Sequence, residues 1–114
     1  MEVIMSLWAN YHSERFGFKT IEVDGGFICY AIKPPDASIE EFYVSPEKRG
    51  TRTAKDLADL VFRIAREAGC TKVWAKVQPG ALGAEHAMRT NLHYGFKLIC
   101  NNGSDTIMCK NVEE

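Results

Sequence analysis

The stretch that decides the fold spans residues 39–57 and has the sequence IEEFYVSPEKRGTRTAKDL. It begins with a run of β-forming residues that ends at Val44. A short basic loop follows, and from Ala54 onward apolar residues recur at spacings of three and four. The stretch therefore predicts a strand, a basic loop and the N-terminus of an amphipathic helix.

The helix after this loop has the most regular pattern in the chain. Its apolar positions between Thr53 and Ala68 are Ala54, Leu57, Ala58, Val61, Ile64, Ala65 and Ala68. Such spacing places them on one face of a helix, which is then buried. Thr53 followed by Asp56 resembles a capping box, and Gly69 is suited to the position after the helix end. We expect a helix over Thr53–Ala68.

The residues before this stretch predict a helix and two further strands. A short helical stripe over residues 5–15 carries Leu7, Trp8 and Tyr11. Alternating or β-rich runs then predict a meander of three strands at Lys19–Val23, Phe27–Lys33 and Ser38–Val44. The turn Asp24-Gly25-Gly26 joins the first two strands, because glycine tolerates a positive φ.

The residues after the long helix complete the fold. A strand at Thr71–Val77, a loop at Gln78–Gly83, a helix at Ala84–Tyr94 and strands at Phe96–Cys100 and Thr106–Lys110 are predicted in that order. The element order is α-β-β-β-α-β-α-β-β. This order favours an α+β fold with a mixed sheet, formed by a single domain over residues 1–114.

Composition excludes several classes of protein. A net charge of −1 argues against a bulk electrostatic grip on nucleic acid. No apolar run approaches the roughly 18 residues of a membrane helix, and the N-terminus has no export signal, so a cytoplasmic location is expected. The four cysteines form no CxxC pair and are expected to be reduced and mostly buried. The three histidines complete no metal-ligand spacing, so no metal is predicted.

The basic loop is the strongest candidate for chemistry. The first amides of a helix have no intrahelical acceptor, and together with the helix dipole they form an anion site suited to phosphate. Four cations lie at this site, namely Lys48, Arg49, Arg52 and Lys55. These residues alone are compatible both with a phosphate site and with an ordinary solvated loop.

Residues 39–54, together with Tyr94-Gly95-Phe96, resemble the core of the GNAT superfamily of acyl-CoA-dependent N-acyltransferases. In that family a strand ending in Val-x-Pro leads into an Arg/Gln-x-x-Gly-x-Gly/Ala loop, and a later helix ends in Gly-Phe. The resemblance covers about residues 20–110 and implies the coenzyme A contacts. The backbone of Phe42, Tyr43 and Val44 would pair with pantetheine, and the pyrophosphate would be held by Arg49, Gly50, Thr51, Arg52, Thr53 and Ala54.

The chain departs from the family pattern at two positions. Arg52 falls where the family usually has its first glycine, and it could either pair with a phosphate or obstruct the loop. Asn91 falls where the family often has a tyrosine that protonates the leaving thiolate. An amide can hydrogen-bond a sulfur or an acyl oxygen but is no general acid, so Asn91 is expected to orient the thioester.

A general base would come from the strand before the loop. Glu40 and Glu41 are neighbours and are therefore expected to point to opposite faces of the sheet. The resemblance implies a carboxylate at Glu40, which would share a face with Phe42 and Val44. Apolar neighbours could raise the pKa of Glu40 toward the range of a base, while an exposed strand glutamate is the alternative.

Two functions follow from the resemblance. The first is an N-acetyltransferase that moves an acetyl group from acetyl-CoA to an amine, either a small molecule or a protein lysine, by direct attack in a ternary complex. The second, favoured by Arg52 and Asn91, is a catalytically silent GNAT-like binding protein with a macromolecular partner. Residues 25–32 also resemble small phage-encoded members of the family, which suggests a macromolecular target. A homodimer paired through sheet edges is a further expectation.

Overall fold

A computed structural model describes residues 2–4, 6–80 and 82–113 of the chain. Met5, where the first helix was predicted to begin, and Ala81 of the predicted loop lie outside the described residues. The elements are α1 (Leu7–Phe16), β1 (Lys19–Val23), β2 (Gly26–Lys33), β3 (Asp36–Val44), α2 (Thr53–Glu67), β4 (Lys72–Val77), α3 (Ala84–Tyr94), β5 (Lys97–Asn101) and β6 (Thr106–Asn111). The predicted order of helices and strands is confirmed, with a short 3-10 turn at Pro46–Lys48 added before α2.

The six strands form one mixed sheet in the order β1-β2-β3-β4-β6-β5. β3 and β4 are parallel and are joined by the α2 crossover, whereas the other neighbouring pairs are antiparallel. The predicted mixed α/β architecture is therefore confirmed. β1 and β5 lie at the two edges of the sheet. The expected homodimer through these edges stays a prediction.

The main core lies between the sheet and α2. Leu57, Val61 and Ala65 on the buried face of α2 are fully buried, as are Ile28 and Met108 of the sheet. Burying one such side chain contributes about 1.5–3 kcal/mol. Four residues of α3 pack against the same core, namely Ala84, Ala87, Met88 and Tyr94. This packing holds the start of α2 at the end of β3.

The opposite face of the sheet is covered by α1. Ser6 caps this helix by accepting a hydrogen bond from the Ala9 amide at 3.0 Å, and Gly17 ends it in the left-handed region with a φ of 75°. His12 is buried beneath the helix against the fully buried Cys29 of β2. Cys29, Cys70 and Cys109 are buried free thiols, as expected, and Cys100 is an exposed one.

The two ends of α2 differ in how well the sequence predicted them. The C-terminal prediction is confirmed, because Gly69 has a φ of 89° and the amides of Gly69 and Cys70 bond the carbonyls of Arg66 and Ala65. The predicted capping box is wrong. Arg52 is the N-cap and makes no side-chain cap bond. Instead, the Thr51 hydroxyl accepts a hydrogen bond from the Thr53 amide at 3.3 Å.

Candidate functional site

The junction between β3 and α2 is a tightly turned loop. After Val44 the chain makes the 3-10 turn Pro46–Lys48, and Gly50 then adopts a φ of 82° before α2 begins at Thr53. A Cβ at Gly50 would meet nothing within 4 Å, so glycine is needed there for its backbone conformation rather than for space. The first amides of a helix lack intrahelical acceptors, so the start of α2 is the candidate anion site.

Arg49 ties this loop to the end of β3. Its Nε donates a hydrogen bond to the Val44 carbonyl at 3.0 Å. Its guanidinium carbon lies 5.8 Å from the centroid of the Tyr43 ring. These contacts hold the guanidinium at the mouth of the loop, beside two of the residues expected to pair with pantetheine.

The other three cations of the loop each have a carboxylate within reach. Lys48 Nζ lies 3.6 Å from Asp24, Arg52 lies 3.8 Å from Asp56, and Lys55 lies 2.8 Å from Asp59. Such exposed pairs contribute only about 0–1 kcal/mol each. A phosphate could therefore replace a carboxylate partner at little cost, and the side chain of Arg52 is 74% exposed and free to turn toward it.

The strands β3 and β4 separate beside this loop. Their ladder runs from the pair Asp36–Lys72 to the pair Ile39–Ala75 and ends there. Within the described residues, β3 continues to Val44 without pairing to β4. Its backbone between Glu40 and Val44 is thus an open strand edge that leads directly to the anion site, and an extended chain can add to such an edge.

A β-bulge lies at the point of separation. Cys29 pairs with Glu41, and the next residue, Tyr30, pairs with Ile39, so Glu40 is an extra residue in β3. Ser38 Oγ donates a hydrogen bond to Glu40 Oε1 at 2.7 Å, and Phe42 packs with the core. The expectation that Glu40 shares a face with Phe42 is therefore wrong.

Glu41 is held on the face of the sheet that carries α1. Its Oε2 lies 2.7 Å from Nε2 of His12. Burial raises the pKa of the Cys29 thiol, and the charges of Glu41 and Glu40 raise it further. Glu40, bonded to Ser38, lies on the face opposite the core residues Ala37 and Ile39, which is the same face. The expectation that Glu40 and Glu41 point to opposite faces is wrong, because the bulge interrupts the alternation of side chains.

His12, Cys29 and Glu41 form a cluster that sequence reasoning missed. Their donor atoms lie within 4.8 Å of one another, although they come from three separate segments. Nδ1 of His12 lies 3.8 Å from Cys29 Sγ, while Nε2 faces Glu41. The imidazole thus lies between the thiol and the carboxylate, with a different nitrogen facing each. The three side chains therefore do not point their donor atoms at one shared position. The prediction that the chain binds no metal is not tested by this geometry.

Asn91 lies on α3. Its Nδ2 donates to the sulfur of Met108 at 3.7 Å, and its backbone carbonyl accepts from the Phe96 amide. The neighbouring Tyr94 packs between Phe62 and Phe96, as a packing residue should, and its hydroxyl donates to Asp59 at 2.7 Å. Glu40 and Phe42–Val44 thus lie at the end of β3, Arg49–Ala54 lie in the loop and first turn that follow, and Asn91 contacts Met108 of β6.

The surface formed by the described residues includes two open pockets. One, of about 580 Å³, lies between α2, α3 and β6 and is lined by Asp59, Phe62, Tyr94 and Lys110 among others. The other, of about 260 Å³, lies where Asp24 of the hairpin turn meets Thr53 and Asp56 at the start of α2. The second pocket adjoins the anion site, so the junction offers a concave surface as well as amides and cations.

Comparisons with known proteins show the family of this chain. A family model described as the acetyltransferase (GNAT) family matches residues 4–94, which is most of the chain. The chain therefore belongs to the GNAT family. A search of curated proteins finds no significant match. In the part of the chain that the structure describes, every helix is too short or too polar to cross a bilayer.

Solved structures share the fold. The PaiA N-acetyltransferase of Thermoplasma acidophilum, in complex with coenzyme A, is 23% identical with a TM-score of 0.74 over 92% of this chain and 68% of that one. Ard1 from Thermoplasma volcanium is 23% identical with a TM-score of 0.71 over 95% and 79%. The anti-CRISPR protein AcrVA5 is 22% identical with a TM-score of 0.65 over 79% and 96%. At these identities the likeness establishes the fold.

Proposed function

We propose that this protein is an acetyl-CoA-dependent N-acetyltransferase that acetylates an amine by direct attack in a ternary complex. The observation that carries the proposal is the open edge of β3, which leads from the bulge at Glu40 to the loop Arg49–Ala54 at the start of α2. Membership of the GNAT family and a similar fold solved with coenzyme A support it.

The residues of the junction fit coenzyme A. The backbone of Phe42, Tyr43 and Val44 would pair with the pantetheine amides as an added strand. The amides of Gly50–Ala54 would hold the pyrophosphate, with Arg49 and Arg52 supplying charge. Because the side chain of Arg52 is 74% exposed and its ion pair with the half-buried Asp56 spans 3.8 Å, we favour its pairing with phosphate over obstruction of the loop.

The chemistry needs a base and a correctly oriented thioester. The amine nitrogen bonds to the acetyl carbonyl carbon, the carbon–sulfur bond breaks, and the amine loses a proton. Glu40 would accept that proton directly or through a water, since the bulge places it where β3 and β4 separate. Asn91, whose amide already donates to one sulfur atom, would orient the thioester. Solvent would protonate the leaving thiolate, and positioning would supply most of the rate.

Isothermal titration of acetyl-CoA tests the site. Wild type should bind, and Arg49→Ala should bind about tenfold more weakly, because it removes a charge-assisted phosphate contact. Arg63→Ala, which removes an exposed arginine of α2 outside the loop, is the matched control and should bind like wild type. Absence of binding by wild type would sink the proposal.

The alternative function is a GNAT-like binding protein without catalysis. It is favoured by Arg52 in place of the family's glycine and by Asn91 in place of its tyrosine. A panel of amines that includes polyamines, peptides and lysates separates the two functions. Binding of acetyl-CoA without transfer to any of them would establish the alternative.

A further inference from the structure

The face of the sheet that carries α1 has three aromatic rings in a row, Trp8, Phe27 and Tyr43, called here the aromatic row. The ring centroids of Trp8 and Phe27 are 4.8 Å apart, and those of Phe27 and Tyr43 are 5.9 Å apart. Trp8 is 43% exposed and Tyr43 is 47% exposed. The face of an aromatic ring carries negative charge density and attracts cations.

Carboxylates lie beside the aromatic row. Glu41 has a side chain that is 51% exposed, and it is held by His12, whose ring centroid is 5.1 Å from that of Trp8. Glu22 lies opposite Phe27 in the register of β1 and β2, and it accepts a hydrogen bond from Ser6. The surface thus combines aromatic faces with negative charge, which is complementary to an organic cation.

One end of the aromatic row already holds a cation. The guanidinium of Arg49 lies 5.8 Å from the Tyr43 ring centroid. Within residues 2–4, 6–80 and 82–113 no such contact is made to Trp8 or Phe27. The end of the row at Trp8 and Phe27, next to Glu41, is therefore where a second cation can bind.

We propose that Trp8, Phe27 and Glu41 bind the ammonium group of the acceptor, and that the acceptor is a lysine side chain on a protein surface. This inference rests on the proposed function, and it adds the substrate class. The apolar stem of lysine would pack on the rings while its ammonium reaches Glu41. Glu41 adjoins Glu40 in the chain, so the bound ammonium lies beside the proposed base.

The openness of the surface selects a protein over a small amine. Small-molecule sites are usually concave and enclose most of their ligand. Here Trp8, Tyr43 and the side chain of Glu41 are between 43% and 51% exposed. An open face of rings and carboxylates instead suits a side chain that is already presented by a larger partner.

The first test separates binding of the acceptor from chemistry. Glu41→Gln preserves the shape of the side chain but removes its charge, so it should raise KM for a lysine peptide about tenfold and leave kcat within about twofold. Trp8→Ala should behave likewise, and Trp8→Phe should restore most of the affinity. Tyr11→Ala is the matched control, since Tyr11 is 55% exposed on the same helix but lies outside the row. Wild-type KM in Glu41→Gln would overturn the inference.

The second test measures lysine binding directly. The chain has two tryptophans, so in a Trp74→Phe background the emission reports Trp8 alone. A peptide with a free lysine should change this emission, and the same peptide acetylated on lysine should bind at least about tenfold more weakly. Equal binding of the two peptides, or butylamine binding as tightly as the lysine peptide, would overturn the inference.

Titration of acetyl-CoA with the same samples distinguishes the two proposals. If acetyl-CoA binds and the lysine peptide does not, the lysine site is refuted and the proposed function stands. If the lysine peptide binds through Trp8 and Glu41 but acetyl-CoA does not, the lysine site stands and the proposed function fails. Circular dichroism checks that each variant is folded. If Trp8→Ala is unfolded, the result with Glu41→Gln decides the test.

Discussion

The proposed role of Glu40 depends on the β-bulge in β3, in which Glu40 is the extra residue. The bulge opposite Cys29 and Tyr30 places Glu40 directly after Ile39, the last residue of β3 that pairs with β4, and Ser38 holds its carboxylate. Bulges commonly re-aim a side chain next to an active site. The single shift of register thus brings a carboxylate to the edge where the thioester would lie.

Substitution of Glu40 tests its role as base. Glu40→Gln should lower kcat by about 10²–10⁴-fold at neutral pH while the Kd for acetyl-CoA stays unchanged, because a general base contributes in that range and is not needed for binding. An assay of coenzyme A release gives kcat, and titration calorimetry gives the Kd for acetyl-CoA. Glu67→Gln, an exposed glutamate at the end of α2, is the control. Unchanged turnover in Glu40→Gln would exclude the role.

The orientation of Glu40 and Glu41 could not be predicted from sequence, whereas the position of Arg49 in the loop before α2 could. Alternation in a strand is a local rule, and it fails where the register with a neighbouring strand shifts. That register depends on pairing between residues far apart in the chain, as between Cys29 and Glu41. For the same reason the contact of His12 with both residues left no local signal. Arg49 and its loop, by contrast, lie in one continuous motif.

At the scale of elements, the fit of α2 against β2 and β3 sets the position of the anion site. A Cβ on Gly26 would lie 3.1 Å from the Tyr43 carbonyl and 3.2 Å from Leu57 Cδ1. Glycine at this position therefore lets the first turn of α2 approach the sheet closely. The periodicity of α2 made its existence and buried face predictable, but its N-cap could not be predicted because the loop before it supplies the hydroxyl of Thr51.

Enlargement of Gly26 should disturb this fit. Gly26→Ala should reduce the free energy of unfolding by about 1–3 kcal/mol, because the added methyl group must displace backbone or Leu57. It should also weaken acetyl-CoA binding, since α2 carries the anion site. Urea denaturation and calorimetry measure the two effects. Gly80→Ala is the control, because a Cβ there meets nothing within 4 Å; equal stabilities of the two variants would contradict the account.

The contact between α2 and α3 should make the fold sensitive to alkali. Burial, and then the Asp59 carboxylate, raise the pKa of Tyr94 above its usual value near 10. The unfolded chain therefore loses this proton at lower pH than the folded one, and stability falls as the pH rises above about 10. Tyr94→Phe should flatten this fall, as measured by urea unfolding between about pH 8 and 11. A slope like that of wild type would show that Tyr94 does not contribute.

At the scale of the molecule, the order of elements was predictable because each helix and strand carries its own periodicity. The separation of β3 from β4 was not, since it is a property of the assembled sheet. The two parts of the proposed site meet where these strands separate. One side holds the strand edge and Glu40, and the other holds the loop and the start of α2.

Transfer of acetyl from acetyl-CoA to a lysine peptide, detected by mass spectrometry, tests the central claim most directly. The account predicts a peptide that gains one acetyl group with wild type, and far less product with Arg49→Ala at limiting acetyl-CoA. A wild-type protein that binds acetyl-CoA but acetylates neither the peptide nor any other amine would contradict it.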